Sequence, residues 1–273
     1  MSENTNNGGL IWLLGDVHSG FDHIFRALDN ASELPAGIVF LGDIEPQEAP
    51  LSEIIKPIRD AGVEVLWIRG NHDTDNEKPW RNLSDPESMS LNIDGRIVTI
   101  AGLRIAGLGG VFRGEVWHRD SDGGQPSHAN YAAYEKFIRH NRKYKQGLPQ
   151  KHGDANVLDA SCVGKLLKHH STIWPDTYEK LADQRADVLI THEAPSCHPH
   201  GFESIDLLAQ VMGVKALFHG HQHDCLDYSR QFDTLGFHAY GVGFCGITDQ
   251  DGTVIVPGDF DEARRFRQKH VPE

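Results

Sequence analysis

The sequence predicts an α/β fold built on a parallel sheet, because short apolar runs alternate with helical patterns through its first third. The apolar runs cover residues 10–14, 38–41 and 63–68, which is the length of buried strands. Helical patterns lie between them at residues 21–28 and 54–58. Short strands that alternate with helices pair in parallel and are covered by those helices. The polar motifs after these runs should therefore lie at one edge of the sheet.

A second sheet is predicted to begin with an antiparallel hairpin. Residues 96–100 and 103–108 alternate apolar and polar side chains around Ala101-Gly102, as the two arms of a hairpin do. The tail at 236–256 alternates as well and contains the turn signal Asp251-Gly252. Two further apolar runs, each ahead of a polar motif, are predicted strands: 187–191 and 215–218.

Composition and charge narrow the class of protein. Of the 273 residues, 39% are hydrophobic and 24% are charged, as expected for one large globular domain. There is no signal-peptide pattern and no apolar segment near the ~18 residues that span a bilayer, so we expect a cytoplasmic protein without a membrane partner. The net charge of -13 disfavours general binding of duplex nucleic acid. The four cysteines are widely spaced, which favours neither a thiolate zinc site nor a disulfide framework.

We predict that residues 10–273 form a single domain, preceded by a disordered lead-in at 1–9. The strand pattern is interrupted at about 113–183, which we interpret as a helical insert or cap. Between Lys136 and Lys151 this insert carries six Lys and Arg residues and no acid. We favour a solvated helix face for this stretch over a rim that attracts phosphate. The oligomeric state is left open.

Polar side chains with metal-ligand chemistry follow five of the apolar runs. In chain order the clusters are Gly15-Asp16-Val17-His18, Gly42-Asp43, Gly70-Asn71-His72-Asp73, Thr191-His192 and Gly220-His221-Gln222-His223. Any one of them has an ordinary explanation, as a cap, a turn or a structural histidine. Five such clusters, each at the end of an apolar strand, together favour a shared metal site.

The spacing inside two clusters adds a geometric expectation. Asp16 and His18 are two residues apart, and so are His221 and His223. In extended backbone such side chains point to the same side, so each pair is expected to reach one ion together. Asp43 can bridge two cations through its two carboxylate oxygens.

The ordered set Asp-x-His, Gly-Asp, Gly-Asn-His-Asp, His and Gly-His-x-His resembles the calcineurin-like metallophosphoesterase superfamily, and the resemblance runs from residue 15 to 223. It implies a four-layer α-β-β-α sandwich, with two facing mixed sheets between outer helices. By position it also implies two metal ions that share Asp43. The first would be held by Asp16, His18, Asp43 and His223, and the second by Asp43, Asn71, His192 and His221.

The resemblance further implies an enzyme that hydrolyses a phosphoester. Two divalent cations roughly 3.5 to 4 Å apart would grip the phosphoryl oxygens, and a metal-bridging hydroxide would attack phosphorus. His72, which the superfamily does not use as a ligand, is the expected catalytic residue and would protonate the leaving oxygen or stabilise its charge. The nitrogen and oxygen ligand set suits Mn²⁺, iron, Zn²⁺, Co²⁺ or Ni²⁺, and the resemblance favours Mn²⁺.

The substrate is less constrained than the chemistry. Protein phosphatases and diadenosine tetraphosphate hydrolases carry Gly-Asp-x-x-Asp-Arg-Gly, whose Arg clamps phosphate, whereas this chain reads Gly42-Asp43-Ile44-Glu45-Pro46-Gln47. The pattern is instead similar to class III cyclic-nucleotide phosphodiesterases, which implies a small phosphoester such as a nucleotide. The candidate substrate contacts are Arg113, His198 and His200.

Three alternatives remain open at this point. A monoester brings an extra negative charge that usually needs a dedicated cation, so we favour a diester over a phosphomonoesterase or a nucleotide pyrophosphatase. A metal-binding protein-interaction scaffold without turnover is the competing class. Competent residues at every ligand position disfavour the scaffold.

Overall fold

The computed structural model describes residues 9–117, 124–141 and 163–268, which form two mixed sheets flanked by helices. The strands in chain order are β1 (Ile11–Leu14), β2 (Gly37–Phe40), β3 (Glu64–Trp67), β4 (Ile97–Ile100), β5 (Leu103–Leu108), β6 (Val188–Thr191), β7 (Ala216–His219), β8 (Leu226–Asp227), β9 (His238–Gly241), β10 (Ile247–Asp249) and β11 (Val254–Val256). The helices of the described residues are α1 (Asp22–Asn30), α2 (Leu51–Ile54), α3 (Lys56–Asp60), α4 (Glu77–Leu83), α5 (Pro86–Ser90), α6 (Tyr131–His140), α7 (Gly164–Lys168), α8 (Pro175–Ala182), α9 (Glu203–Met212), α10 (Phe232–Leu235) and α11 (Asp261–Gln268).

The first sheet has the strand order β11-β10-β1-β2-β3. Its strands β1, β2 and β3 are parallel, as predicted, with Leu14 beside Phe40 and Phe40 beside Trp67. The tail supplies β10, which pairs antiparallel with β1, and the turn at Asp251-Gly252 joins β10 to β11. The tail therefore makes this sheet a mixed one.

The second sheet has the strand order β4-β5-β6-β7-β9-β8. The predicted hairpin is confirmed, since β4 and β5 are antiparallel and Ile97 lies opposite Ala106. From β5 through β6 and β7 to β9 the strands are parallel, and β8 is antiparallel to β9.

Successive side chains of a strand point to opposite faces of its sheet, so the buried side chains form three apolar clusters, one between the two sheets and one between each sheet and its helices. Between the sheets, Leu13, Val39 and Leu66 of the first sheet pack with Ile190 and Phe218 of the second. The intervening side chains face the helices: Trp12, Phe40 and Trp67 pack with Ile24 of α1, and Leu189 and Leu217 pack with Tyr178 of α8 and Leu208 of α9. The layers are helix, sheet, sheet and helix, which is the sandwich that the motif resemblance implied.

The helical pattern predicted at 54–58 is confirmed as helix, but it forms two short helices instead of one. Helix α2 ends at Ile54, and α3 starts afresh at Lys56 with Pro57 in its first turn. Proline has no N–H to donate, so it fits the first turn of a new helix and not the interior of a continuing one.

Residues 1–8, 118–123, 142–162 and 269–273 are outside the described residues. They include most of the predicted lead-in and part of the predicted insert at 113–183 with its basic stretch, so these domain bounds stay a prediction. No helix of the described residues is long and apolar enough to cross a lipid bilayer.

The carboxyl ends of β1, β2, β6 and β7 meet at one edge of the sandwich. Asp16, after β1, accepts hydrogen bonds from the backbone N–H of His221, after β7. The ring of His192, after β6, donates from Nδ1 to the carbonyl of Leu41, after β2, at 2.8 Å. The predicted motifs of both sheets therefore share this edge.

Candidate metal centre

The side chains at this edge form two groups that share one residue. Each residue of a group offers one nitrogen or oxygen atom as a ligand, and within a group these ligand atoms lie within 4.8 Å of one another. The first group is Asp16, His18, Asp43 and His223, and the second is Asp43, His192 and His221. Asn71 joins the second group, since its Oδ1 is 3.1 Å from Nε2 of His192. Either group has the donor atoms and the spacing to hold a metal ion.

Asp43 is the shared residue, and its two carboxylate oxygens have different surroundings. Its Oδ1 accepts a 2.7 Å hydrogen bond from the backbone N–H of His72. Its Oδ2 is buried and has no hydrogen-bond partner among the described residues. This oxygen lies 3.8 Å from Nε2 of His18 and 3.4 Å from Nε2 of His192. A buried carboxylate oxygen without a hydrogen bond is unfavourable unless a cation compensates it.

Left-handed backbone brings four of these side chains together. The φ angles are 40° at His18, 48° at Asp43, 66° at His221 and 56° at His223. The expectation of extended backbone within the two spaced pairs is therefore wrong, because both strands end before their motifs and the chain turns there. Asp16 and His18 nevertheless lie in the same group, as expected, whereas His221 and His223 reach different groups. Such φ values cost a residue other than glycine about 1–3 kcal/mol each, and they cluster at functional sites.

Two glycines let the motif loops approach closely. A Cβ on Gly70 would lie 2.1 Å from Oδ1 of Asp43, and a Cβ on Gly42, where φ is 100°, would lie 2.5 Å from Nδ1 of His192. Both distances are far below van der Waals contact, so only glycine fits at these positions.

The ring of His18 is oriented by the carboxylate of Glu45, a residue that was not predicted to be part of the site. Its Nδ1 hydrogen-bonds the carboxylate of Glu45, while its Nε2 faces Nε2 of His223 at 3.3 Å. A carboxylate behind a histidine fixes the tautomer and orients the ring, as is typical of metal ligands. Burial alone would lower the pKa of His18, but the hydrogen bond to Glu45 and the charge of Asp43 raise it. The sequence signal was an acid two residues after Asp43.

Burial and charge separate the other histidines by protonation state. Burial lowers the pKa of His221 to about 3 and that of His223 to about 4, so both rings are neutral at neutral pH. Burial would also lower the pKa of His192, but the charges of Asp43 and Asp16 raise it to about 10. In the protein without metal, His192 is therefore protonated.

His72 lies beside the two groups and belongs to neither. Its side chain is 45% exposed, and its ring centroid is 5.3 Å from that of His18. Its Nδ1 hydrogen-bonds the carboxylate of Asp75 at 2.6 Å. Asp75 was not predicted, although it lies only three residues after His72, just beyond that motif. Its hydrogen bond orients the imidazole and leaves Nε2 for another partner.

Asp73, which had no predicted role, fastens two of the motif loops. Its Oδ1 accepts hydrogen bonds from the backbone N–H groups of Ile44 and Glu45 at 2.7 and 2.9 Å, and its Oδ2 accepts one from Gly70 at 2.7 Å. The loop after β2 is thereby tied to the loop after β3, which holds Asp43 close to Asn71.

A family model described as calcineurin-like phosphoesterase matches residues 9–225. The chain belongs to the calcineurin-like phosphoesterase family. A Haemophilus influenzae protein, described as uncharacterized, is 32% identical to this phosphoesterase over 247 residues, which are 90% of this chain and 96% of that protein. The family hydrolyses phosphoester bonds, and the two groups described above are candidates for its metal site.

Solved structures resemble this phosphoesterase at low sequence identity. A Thermus thermophilus protein superposes with a TM-score of 0.50 at 11% identity, covering 90% of this chain and 97% of its own. The phosphopantetheinyl hydrolase of Mycobacterium tuberculosis has a TM-score of 0.44 at 15% identity, covering 88% and 91%. The likeness to the Thermus protein concerns the fold alone.

Arg113, a predicted substrate contact of the phosphoesterase, connects to the second group through hydroxyl groups. Its Nη2 donates to Oγ of Ser171 at 3.0 Å. That oxygen lies 2.6 Å from Oγ1 of Thr74, which contacts the carbonyl of Asn71 at 3.3 Å. The Nε of Arg113 is buried without a hydrogen-bond partner among the described residues. The guanidinium is thus held near the second group, and its Nε donates no hydrogen bond within the described part of the chain.

The other two predicted substrate contacts lie on one turn after β6. His198 is 5% exposed, its Nε2 is 3.6 Å from Oδ2 of Asp224, and its Nδ1 accepts a hydrogen bond from the backbone N–H of His200. His200 is exposed. His198 is therefore packed against the residue that follows His223, and a substrate contact by either histidine stays a prediction.

Glu193 is a further buried acid at the site that was not predicted. Its Oε1 accepts a 3.0 Å hydrogen bond from the backbone N–H of Phe112, and its Oε2 is 3.9 Å from Nε2 of His221. Burial raises the pKa of Glu193 to about 7. Because Phe112 precedes Arg113, this contact fixes the Arg113 loop against the second group. The sequence signal was its position directly after His192.

Proposed function

We propose that this protein is a metal-dependent phosphoesterase that uses two divalent cations, with Asp43 bridging them. The observation that carries the proposal is the buried Oδ2 of Asp43, which lies between imidazole nitrogens of His18 and His192 and has no hydrogen-bond partner among the described residues. The remaining ligands are Asp16 and His223 for the first cation, and Asn71 and His221 for the second.

The donor atoms support this assignment. All of them are nitrogen or oxygen, and the rings of His221 and His223 are neutral at neutral pH, as a metal ligand must be. Such a set suits Mn²⁺, which we favour, and also iron, Zn²⁺, Co²⁺ and Ni²⁺.

When bound, the cations supply Lewis acidity that polarises the phosphoryl group and activates water for attack. The residues of the chain position the substrate and handle the leaving group. His72, whose Nδ1 is held by Asp75, donates a proton or a hydrogen bond from Nε2 to the leaving oxygen. Its exposed side chain is accessible to a substrate that sits on the two groups.

Exhaustive removal of metal is expected to abolish hydrolysis of bis(p-nitrophenyl) phosphate, and added Mn²⁺ should restore it. Release of nitrophenolate and the metal content of the protein, by mass spectrometry, are measured on the same samples. Activity that survives chelation and dialysis would contradict the proposal. A protein that binds two metal ions and turns over neither monoesters nor diesters would be a scaffold instead.

Metal binding is expected to release about one proton from His192 near pH 7.5. The pKa of this residue is about 10 in the protein without metal, so the cation must displace a proton there. Affinity should then rise at least tenfold per pH unit between pH 6 and 8 and fall in mild acid, because His18, whose pKa is also raised, loses a proton as well over part of this range. Titration calorimetry in buffers of different ionisation enthalpy counts the protons. Binding that releases none would contradict the protonation state of His192.

The preference for diesters rested on the lack of a dedicated cation for the second charge of a monoester. Arg113 offers such a cation, because the residue is only partly buried and Ser171 fixes the position of its guanidinium. This observation favours a phosphomonoester as a second candidate substrate beside the diester.

Replacing Arg113 by Gln is expected to lower kcat/KM for p-nitrophenyl phosphate about tenfold to hundredfold, the usual range for losing a hydrogen bond to a charged group. The loss for bis(p-nitrophenyl) phosphate should stay below about threefold, since a diester lacks the second charge. Arg26→Gln on α1, where the side chain is exposed, is the matched control. Equal losses of kcat/KM for both substrates would show that Arg113 does not recognise the second negative charge of the monoester.

A further inference from the structure

A row of aromatic rings leads outwards from the first group. The ring of Phe244 stacks on that of His18, with 5.3 Å between centroids and 24° between planes. The ring of Phe260 stacks in turn on Phe244 at 4.8 Å and 29°. His223, from the same group, contacts Phe244 at 5.0 Å between centroids. We call Phe244 and Phe260 the aromatic ledge.

The outer end of the ledge is open to solvent and carries a cation. Phe260 is 41% exposed, and the guanidinium carbon of Arg264 lies over its ring at 5.5 Å from the centroid. Arg264 is itself held in place by the carbonyl of Gln222, at 2.7 Å, and by the carboxylate of Asp224. One exposed aromatic ring is ordinary on a protein surface. This one continues a stack that begins at a site histidine.

The chain after the family match builds and fixes the ledge. The match ends at residue 225, before Phe244. The backbone N–H of Asp259 donates to the carbonyl of Phe244 at 2.9 Å, and Asp261 accepts a 2.7 Å hydrogen bond from the backbone N–H of Gly258. The two loops that present the rings are therefore tied to each other, so the ledge has a defined position beside the first group.

We propose that the aromatic ledge binds a planar, base-like ring of the substrate while its phosphoryl group occupies the two groups. The proposal rests on the proposed function and adds a substrate class, phosphoesters that carry an aromatic ring. Aromatic side chains bind planar rings by offset stacking and by edge contacts, and an Arg beside them adds a cation-π contact. A saturated ring of the same size gains neither interaction.

Binding of two phosphonates tests the ledge without turnover, because a phosphoesterase does not cleave their carbon–phosphorus bond. Benzylphosphonate and cyclohexylmethylphosphonate differ in whether the ring is planar and aromatic. By titration calorimetry on the Mn²⁺-loaded protein, we expect benzylphosphonate to bind about fivefold tighter. Phe260→Ala should reduce the ratio to about one, and Phe260→Trp should preserve it.

Phe232→Ala is the matched control, since Phe232 is likewise 41% exposed and lies on α10, where its ring contacts His238 and, within the described part of the chain, no site residue. It should leave the ratio unchanged. Equal affinities of the two phosphonates for the unaltered protein, or an affinity ratio that is unchanged in Phe260→Ala, would overturn the proposal that the aromatic ledge binds the ring. Absence of any metal-dependent hydrolysis would instead overturn the proposed function, while the phosphonate ratio would still report on the ledge.

Discussion

Replacing Asp43 by Asn is expected to lower metal-dependent hydrolysis about a thousandfold or more. Asn keeps one oxygen to accept the hydrogen bond that Oδ1 now takes from the backbone of His72. It cannot supply the second, charged oxygen that lies between His18 and His192. The loss corresponds to several kcal/mol of transition-state stabilisation. Turnover of bis(p-nitrophenyl) phosphate at saturating Mn²⁺ and the metal stoichiometry are the measurements.

Two comparisons separate this effect from misfolding. Asp249→Asn removes a buried carboxylate at the far end of the sheet, where it binds the backbone of Asp251 and Thr253, and should leave metal content and turnover unchanged. The metal-free Asp43→Asn protein should still unfold in one cooperative transition, at a lower melting temperature, because the variant loses the buried ion pair that Asp43 makes with protonated His192. An Asp43→Asn protein that binds two metal ions and retains more than about a tenth of its activity would refute the bridging role.

The second large effect is expected from His72→Ala, which should lower kcat about a hundredfold to ten-thousandfold for substrates with a poor leaving group. Both metal ions should stay bound, since His72 belongs to neither group. For nitrophenyl esters the loss should be much smaller, because nitrophenolate leaves without a proton. The dependence of kcat on the leaving-group pKa, compared between variant and unaltered protein, is the measurement.

His238→Ala serves as the control for removing an exposed imidazole, since His238 lies at the start of β9 and away from the motifs. If His72→Ala lowers kcat by one factor for good and poor leaving groups alike, the histidine acts on the site in general and not on the leaving oxygen. Asp75→Asn should reproduce the same leaving-group dependence with a smaller loss, because Asp75 only orients the ring.

The sandwich and the two groups were predictable because their signals are local or ordered along the chain. Apolar runs of strand length predicted β1, β2 and β3, and the alternation around Ala101-Gly102 predicted the β4–β5 hairpin. The order of the five motifs then implied which side chains meet. The family resemblance assigned His221 and His223 to different metal ions, in agreement with the structure. The two-residue spacing alone had predicted that both histidines reach the same ion.

What the sequence did not predict depends on contacts between distant residues or on backbone conformation. The acids behind the histidines, Glu45 and Asp75, are single residues whose partners became evident only when the loops were seen side by side. Arg113 was one of several basic candidates until Ser171, 58 residues further on, was seen to hold it. Phe244 and Phe260 belong to no motif, since their stack on His18 requires the tail to return to β1.

The left-handed backbone at His18, Asp43, His221 and His223 also bears on how such a protein can evolve. At about 1–3 kcal/mol for each position, the strain is a large fraction of the roughly 5–15 kcal/mol by which a domain is stable. A gene copy released from catalysis would gain stability by drifting to glycine or asparagine at these positions. At these four positions the residue that would relieve the backbone strain therefore differs from the residue that offers a metal ligand.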